Sequence, residues 1–137
     1  MKSMSSGGDQ FEVVVERNDD LVELLVEVRT FATRHAMSSL STSVLSTVVS
    51  ELGTNLIKYA RNGQIRCGFP DSRRRNLVVE SVDEGPGIAD LESAMREHFS
   101  TGGSLGMGLP GIRRLASRFQ IESTMGKGTR VWCELEL

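Results

Sequence analysis

The sequence lacks any apolar run approaching the roughly 18 residues needed to cross a bilayer, which excludes a helical membrane span. Its opening stretch, MKSMSSGGDQ, is polar and carries none of the apolar core of a secretory signal. Basic residues are not in excess: 16 Lys and Arg against 18 Asp and Glu leave a net charge of −2, so there is no basic field for nucleic acid. Cysteine is scarce. Cys67 and Cys133 stand far apart without metal-ligand spacing, and are expected as buried, reduced thiols. These absences point to a cytoplasmic protein that binds neither membrane nor nucleic acid. At 137 residues it is expected to form one domain over 11–137, behind a flexible Ser/Gly-rich N-terminus at 1–10.

What is present alternates between two periods. Phe11–Arg17 is rich in β-branched residues and reads as a strand. Asn18 or Asp19 can cap a helix from about Asp20 to His35, with Leu21, Leu24, Leu25, Val28, Phe31 and Ala32 on its apolar face. His35 falls at that helix's C-terminus, where a cation suits the dipole. A second helix, from about Ser41 to Ala60, carries the stripe Leu45, Val48, Val49, Leu52, Leu56 and Tyr59. Gln64–Phe69 and Asn76–Asp83 read as a hairpin whose polar connection holds Arg73, Arg74 and Arg75. Ala89–Phe99 is a short amphipathic segment, and Leu109–Phe119 a third main helix with Pro110 in its first turn. Gln120–Thr124 and Thr129–Leu137 close the chain as paired strands. The expected fold class is α+β: a two-layer α/β sandwich in which about three helices cover one face of a mixed, mostly antiparallel sheet.

Three segments carry the chemistry. Ser100–Gly111, STGGSLGMGLPG, holds five glycines and opens a helix, so unpaired N–H groups and the positive end of a dipole are offered together. Asp83–Ile88, DEGPGI, follows a strand and turns sharply around Pro86. Within Glu51–Ala60, ELGTNLIKYA, the residues Glu51, Asn55 and Lys58 fall at i, i+4 and i+7 and share one helical face. A solvated helix face has the same spacing, but Asn in mid-helix asks for a reason. ATP with Mg²⁺ supplies one. The Asn55 carbonyl suits a hard cation, Asp83 suits the adenine amino group, and Gly102–Gly108 suits phosphates. Glu51 is placed to orient or deprotonate a hydroxyl, and Lys58 to reach a phosphate.

These stretches resemble the motifs of the GHKL ATPase/kinase superfamily, whose nucleotide-binding architecture is the Bergerat fold. ELGTNLIKYA is similar to its N-box, DEGPGI to its G1 box, GSLGMGLPG to its G2 box, and Gly126-Lys127-Gly128-Thr129 to its late Gly-x-Gly-Thr element. FSTGGSLGMGLPGIRRLASRF together with VDEGPGI is similar to the RsbT-like serine/threonine kinases and their anti-sigma relatives. The resemblance implies that Glu51 is the catalytic base, Asn55 the Mg²⁺ ligand and Asp83 the adenine contact. It implies that Gly85 and Gly87 shape the adenine pocket and that Thr129 supports the base through a water. Gly103, Gly106 and Gly108 would serve the phosphates and the lid hinge. Ile88, Thr101, Gly102, Ser104, Leu105, Met107 and Leu109 would complete the nucleotide contacts, with Lys58 at a phosphate.

A kinase of this kind is expected to phosphorylate a Ser or Thr of a STAS-domain antagonist similar to RsbS or RsbR, and then to engage an RsbU-like phosphatase. Two alternatives share the motifs. One is an anti-sigma-type or docking regulator with little kinase activity. The other is a histidine-kinase-like catalytic domain, against which no helix pair with a phospho-acceptor His precedes the fold.

Overall fold

The computed structural model describes residues 9–70, 76–96 and 108–136. Most of the N-terminal stretch, the Arg73–Arg75 tip and the glycine loop through Met107 lie outside them. The elements run β1 (Gln10–Val14), α1 (Asn18–Arg34), α2 (Ser39–Tyr59), β2 (Gln64–Gly68), β3 (Asn76–Val82), α3 (Leu91–Ala94), α4 (Gly108–Leu115), β4 (Arg118–Thr124) and β5 (Gly128–Glu136). The five strands form one sheet in the order β1-β2-β3-β5-β4. The sheet, expected as mixed and mostly antiparallel, has antiparallel pairing between every pair of neighbours.

Register decides which side chains meet. Ile65 lies opposite Ser81, which lies opposite Val131; Cys67, Val79 and Cys133 form the next row of that face. With a period of two along each strand, Val13, Ile65, Cys67, Leu77, Val79, Val131, Cys133 and Leu135 join one buried layer. The helices meet it with Leu24, Val28 and Phe31 of α1 and with Leu45, Val48, Val49, Leu52 and Leu56 of α2. Each fully buried Leu or Val there contributes roughly 1.5–3 kcal/mol, so this layer fixes how α2 lies on the sheet. Burial pushes both thiols up, Cys67 well above its ordinary value and Cys133 to about 12. Neither is in a disulfide.

Several boundaries differ from the expectation, each for a tertiary or capping reason. β1 stops at Val14 and α1 starts at Asn18, with Arg17 in the N-cap position rather than Asn18 or Asp19. The cap is made from inside the first turn, where Asp20 Oδ2 accepts the N–H groups of Glu16 (2.9 Å) and Arg17 (3.0 Å). Those bonds hold the Asp20 carboxyl below its usual value. His35 caps α1, but its side chain is 2% exposed and packs its ring 4.3 Å from that of Phe31 and 5.2 Å from that of Phe69. It belongs to an aromatic cluster at the helix's end, with its Nε2 3.7 Å from Asp9 Oδ1. Within the amphipathic segment Ala89–Phe99, the described residues are helical at Leu91–Ala94, and 97–99 lie outside the described residues. α4 ends at Leu115 rather than Phe119, because Arg118 and Phe119 pair with Glu134 and Cys133 in the sheet. Tyr59, placed by period in the apolar stripe of α2, is 57% exposed at the helix's end.

Candidate functional site

A cavity of about 450 Å³ opens where the C-terminal half of α2 faces the ends of β3 and β5. α2 lines it with Leu52, Asn55, Leu56, Lys58 and Tyr59; Ser81, Asp83, Pro86, Gly87 and Ile88 come from β3 and the turn after it. Gly108 and Leu109 of α4, Ala94 of α3, and Thr129 and Val131 of β5 close the rim. The helical period therefore brings Asn55 and Lys58 to the cavity, as three residues per near-turn requires. Glu51 is not among the lining residues. It sits one turn before Asn55, and its Oε2 is buried without a hydrogen-bond partner among the described residues. Thr101, Gly102, Gly103, Ser104, Leu105, Gly106 and Met107 lie outside the described residues.

The turn Asp83–Ile88 is held from two sides, the end of α2 and the β4–β5 hairpin. Asp83 N–H donates to Thr129 O at 3.0 Å, and Asp83 Oδ1 accepts Gly85 N–H at 2.8 Å. A carboxylate has more lone pairs than that single donor uses, so Asp83 keeps acceptor capacity at the cavity wall. Gly85 is buried but does not line the cavity. On the α2 side, Glu84 N–H donates to Arg61 O at 2.9 Å, and Asn62 Nδ2 donates to Glu84 Oε2 at 2.9 Å. On the β5 side, Gly126 N–H donates to Pro86 O at 2.9 Å.

Two glycines make this closeness possible. Gly87 has φ +82°, and a Cβ there would stand 2.6 Å from Thr124 O. Gly128 has φ +133°, and a Cβ there would overlap the Asp83 carbonyl oxygen. Any other residue would push the hairpin and the turn apart. The N-terminal turn of α4, whose first amides have no partner inside the helix, supplies Gly108 and Leu109.

Residues 41–137 match the family described as Histidine kinase-, DNA gyrase B-, and HSP90-like ATPase. The chain belongs to this family. It is 35% identical over 124 residues to the serine/threonine-protein kinase RsbT of Bacillus subtilis (strain 168), covering 90% of this chain and 93% of that kinase. That likeness places it among the serine/threonine-protein kinases of the family. It is also 36% identical over 95 residues to an anti-sigma F factor of Caldanaerobacter subterraneus subsp. tengcongensis, covering 64% of each chain. Among solved structures, the catalytic domain of the histidine kinase ThkA matches with a TM-score of 0.55 at 19% identity, over 93% of this chain and 97% of that one. The structural match supports the fold, an antiparallel sheet covered by helices. Among the described residues, no helix is long and apolar enough to cross a membrane.

Two residues escaped the sequence reading: Tyr59, which lines the cavity, and Ser123, which does not line it but is bonded to the lining residues Ile88 and Thr129. Tyr59 lies i+3 from Leu56 and so matched the apolar stripe; its position in the last turn, where α2 leaves the core, was the signal. Ser123 faces Thr129 across the β4–β5 hairpin. Only the hairpin's register exposes that pairing, since nothing in the local sequence distinguishes Ser123 from a surface serine.

Proposed function

We propose that this kinase transfers the γ-phosphate of ATP–Mg²⁺ to a Ser or Thr of a STAS-domain antagonist similar to RsbS or RsbR, and so switches between protein partners. The observation that carries the site assignment is the sharing of one cavity by Asn55, Lys58, Asp83, Gly87 and Thr129, with Glu51 Oε2, which has no hydrogen-bond partner among the described residues, one helical turn away. Its volume of about 450 Å³ is within the ~300–1,000 Å³ usual for small-molecule sites.

The donor set fits the ligand. Among the described residues no group of three or more His, Cys, Asp or Glu could hold a metal ion. One neutral oxygen from Asn55 suits a cation whose other ligands are phosphate and water oxygens. A Mg²⁺ ion bound with the triphosphate would neutralise charge on the transferring group. Asp83 would accept from the adenine 6-amino group, with Gly85 and Gly87 letting the backbone approach the ring and Thr129 and Ile88 beside it. Lys58 would contact a phosphate, and Gly108 and Leu109 would offer α4 amides to others. The glycine loop Thr101–Met107 would complete the phosphate contacts. Glu51, whose buried Oε2 has no competing donor among the described residues, would accept the proton of the attacking hydroxyl. Such a site works mainly by placement.

Phosphorylation would add about −1.5 to −2 charge to the antagonist's surface, weaken its hold and free the kinase for a second partner, an RsbU-like phosphatase. The buried free thiols Cys67 and Cys133 suit a reducing compartment, and we assign the chain to the cytoplasm. The likeness to anti-sigma F factors supports a second reading, control of a partner by docking with little phosphoryl transfer.

Transfer of labelled phosphate from ATP–Mg²⁺ to a STAS-domain protein separates the two, with ATP binding measured apart. Labelling of a Ser or Thr by the wild type and not by an ATP-binding Glu51→Ala variant supports the kinase reading with Glu51 as base. Binding of ATP and partner without transfer supports docking. A wild type that does not bind ATP sinks the nucleotide site.

A further inference from the structure

Among the described residues the sheet has two open edges, β1 and β4. A strand edge offers a row of backbone N–H and C=O groups to any strand that can lie beside it, and edges are usually blunted by charge. The charges on these two edges differ in kind. β1 carries Glu12 as its one charged residue, so antiparallel pairing with its own copy sets acid against acid or leaves it unmatched. β4 begins Arg118-Phe119-Gln120-Ile121-Glu122, with Arg118 and Glu122 equally far from Gln120 and opposite in sign. Phe119 and Ile121 stand one residue either side of Gln120. Both pack against the core and remain partly exposed.

We propose that β4 is a docking edge for β4 of a second copy of this chain, paired antiparallel about a two-fold axis through Gln120. With that axis perpendicular to the sheet, every contact occurs twice. Arg118 falls opposite the second copy's Glu122, and Glu122 opposite its Arg118. Phe119 falls opposite Ile121 on the helix-covered face, and Gln120 opposite itself. Opposite charges and matched apolar side chains directly across a ladder are what stabilise strand pairing. Moving the axis by one residue, to Phe119 or Ile121, loses both ion pairs. The match also extends a pattern inside the chain. β5 sets Glu134 opposite Arg118 and Arg130 opposite Glu122. Arg118 Nε is 3.7 Å from Glu134 Oε2, yet 76% of its side chain is exposed, which leaves the guanidinium open to a second carboxylate. Across the axis the charges then run Arg130, Glu122, Arg118, Glu134, alternating in sign. Ser123, whose Oγ accepts Ile88 N–H at 2.7 Å, lies beyond the matched stretch, so the turn that walls the cavity keeps its contact in each copy.

Sedimentation equilibrium of the full chain tests the proposal. Wild type should dimerise with a Kd below about 1 mM. Arg118→Glu and Glu122→Arg each set like charges across the axis twice, and each should weaken the dimer about tenfold or more. An equimolar mixture of the two variants should dimerise again, because one copy then presents two acids and the other two bases. A loss of fold in either variant does not predict that recovery. Gln120→Cys reads the register separately: the axis brings the two copies of position 120 to a Cβ separation of about 4.5–5.5 Å, so a short thiol-to-thiol crosslinker should join them. Cys67 and Cys133 are buried and do not compete. Glu12→Cys on β1 should not be joined. A wild type that stays monomeric overturns the proposal. So does a dimer that neither charge variant weakens, or a mixture of the two that stays monomeric. If the charge variants do not fold, the crosslink decides alone: a joined Gln120→Cys dimer supports the proposal, and its absence overturns it.

Discussion

Between the turn after β3 and the β4–β5 hairpin, the cavity wall is backbone against backbone. Asp83 N–H meets Thr129 O at 3.0 Å, Gly126 N–H meets Pro86 O at 2.9 Å, and Gly87 and Gly128 leave no Cβ between the two strips. Along α2 the wall is made of side chains, with the polar ones, Asn55 and Lys58, on one helical face and Glu51 a turn behind them. The core stripe of α2, Leu45, Val48, Val49, Leu52 and Leu56, runs beside that face, and Leu52 and Leu56 reach the cavity as well. The difference teaches where binding and folding are one thing and where they separate. At the turn, what would recognise the base also holds the hairpin in place. On α2, the groups proposed for chemistry can change without disturbing the stripe that anchors the helix.

The largest effect expected from this contrast is chemical. Glu51→Gln should lower phosphoryl transfer about 10²–10⁴-fold, the usual contribution of a general base. Its urea unfolding should stay within about 0.5 kcal/mol of wild type, because Oε2 has no hydrogen-bond partner to lose among the described residues. A large stability loss would break the comparison, since α2 would then depend on that face as well. At the other end the order reverses. Gly128→Ala should destabilise by about 3 kcal/mol or more, since a Cβ would overlap the Asp83 carbonyl oxygen at φ +133°. Gly126→Ala is the control. It has φ +77° but nothing within 4 Å of an added Cβ, so only the left-handed backbone opposes it, at roughly 1–2 kcal/mol. Equal losses in the two variants would mean that close approach contributes nothing at the turn.

What could be read from the chain follows the same division. Helical period brought Glu51, Asn55 and Lys58 to one face because α2 is regular over its whole length, and the cavity uses two of them directly. The order of strands and helices was readable because apolar period changes where DEGPGI and Met125–Gly128 interrupt it. Contacts between strands distant in sequence were not. α4 was expected to run to Phe119 because its apolar spacing continues, but pairing of Arg118 with Glu134 takes that residue into β4. That His35 also packs against Phe69 was not legible, because the local sequence does not bring the residue after β2 beside the end of α1. Gly128 and Ser123 acquire their importance only once the hairpin is laid against the turn. Local propensity has no access to that step.

Asn62 lies at the corner between the two ends, with φ +51° and its Nδ2 bonded to Glu84 Oε2 at 2.9 Å. Asn62→Ala should cost about 1 kcal/mol by urea unfolding, since it loses the bond and keeps the left-handed backbone. Asn62→Gly should cost less, because glycine accepts that φ freely. If both lose equally, the side-chain bond matters and the backbone does not, and the two ends are tied by a side chain after all.

The smallest effect concerns α3, which brings Ala94 to the rim from outside both ends. Asp90 caps it: Oδ2 accepts the Ser93 hydroxyl at 2.6 Å, and Oδ1 accepts Ser93 N–H at 3.0 Å. The hydroxyl first, and the amide after it, hold the Asp90 carboxyl below its ordinary value. A carboxyl with a lowered folded pKa stabilises above its unfolded value and loses that contribution as pH falls through the folded one. The helical NMR shifts of Leu91–Ala94 should therefore weaken below the ordinary carboxylate value of about 3.9 in wild type. In Asp90→Ala they should already be weak at neutral pH and change little on acidification. Amide exchange at Asp83, whose N–H is held by Thr129 rather than by any carboxylate, should be the same in both proteins. A change there would mean that α3 and the turn move together, and that the rim belongs to the backbone-built end rather than standing apart from it.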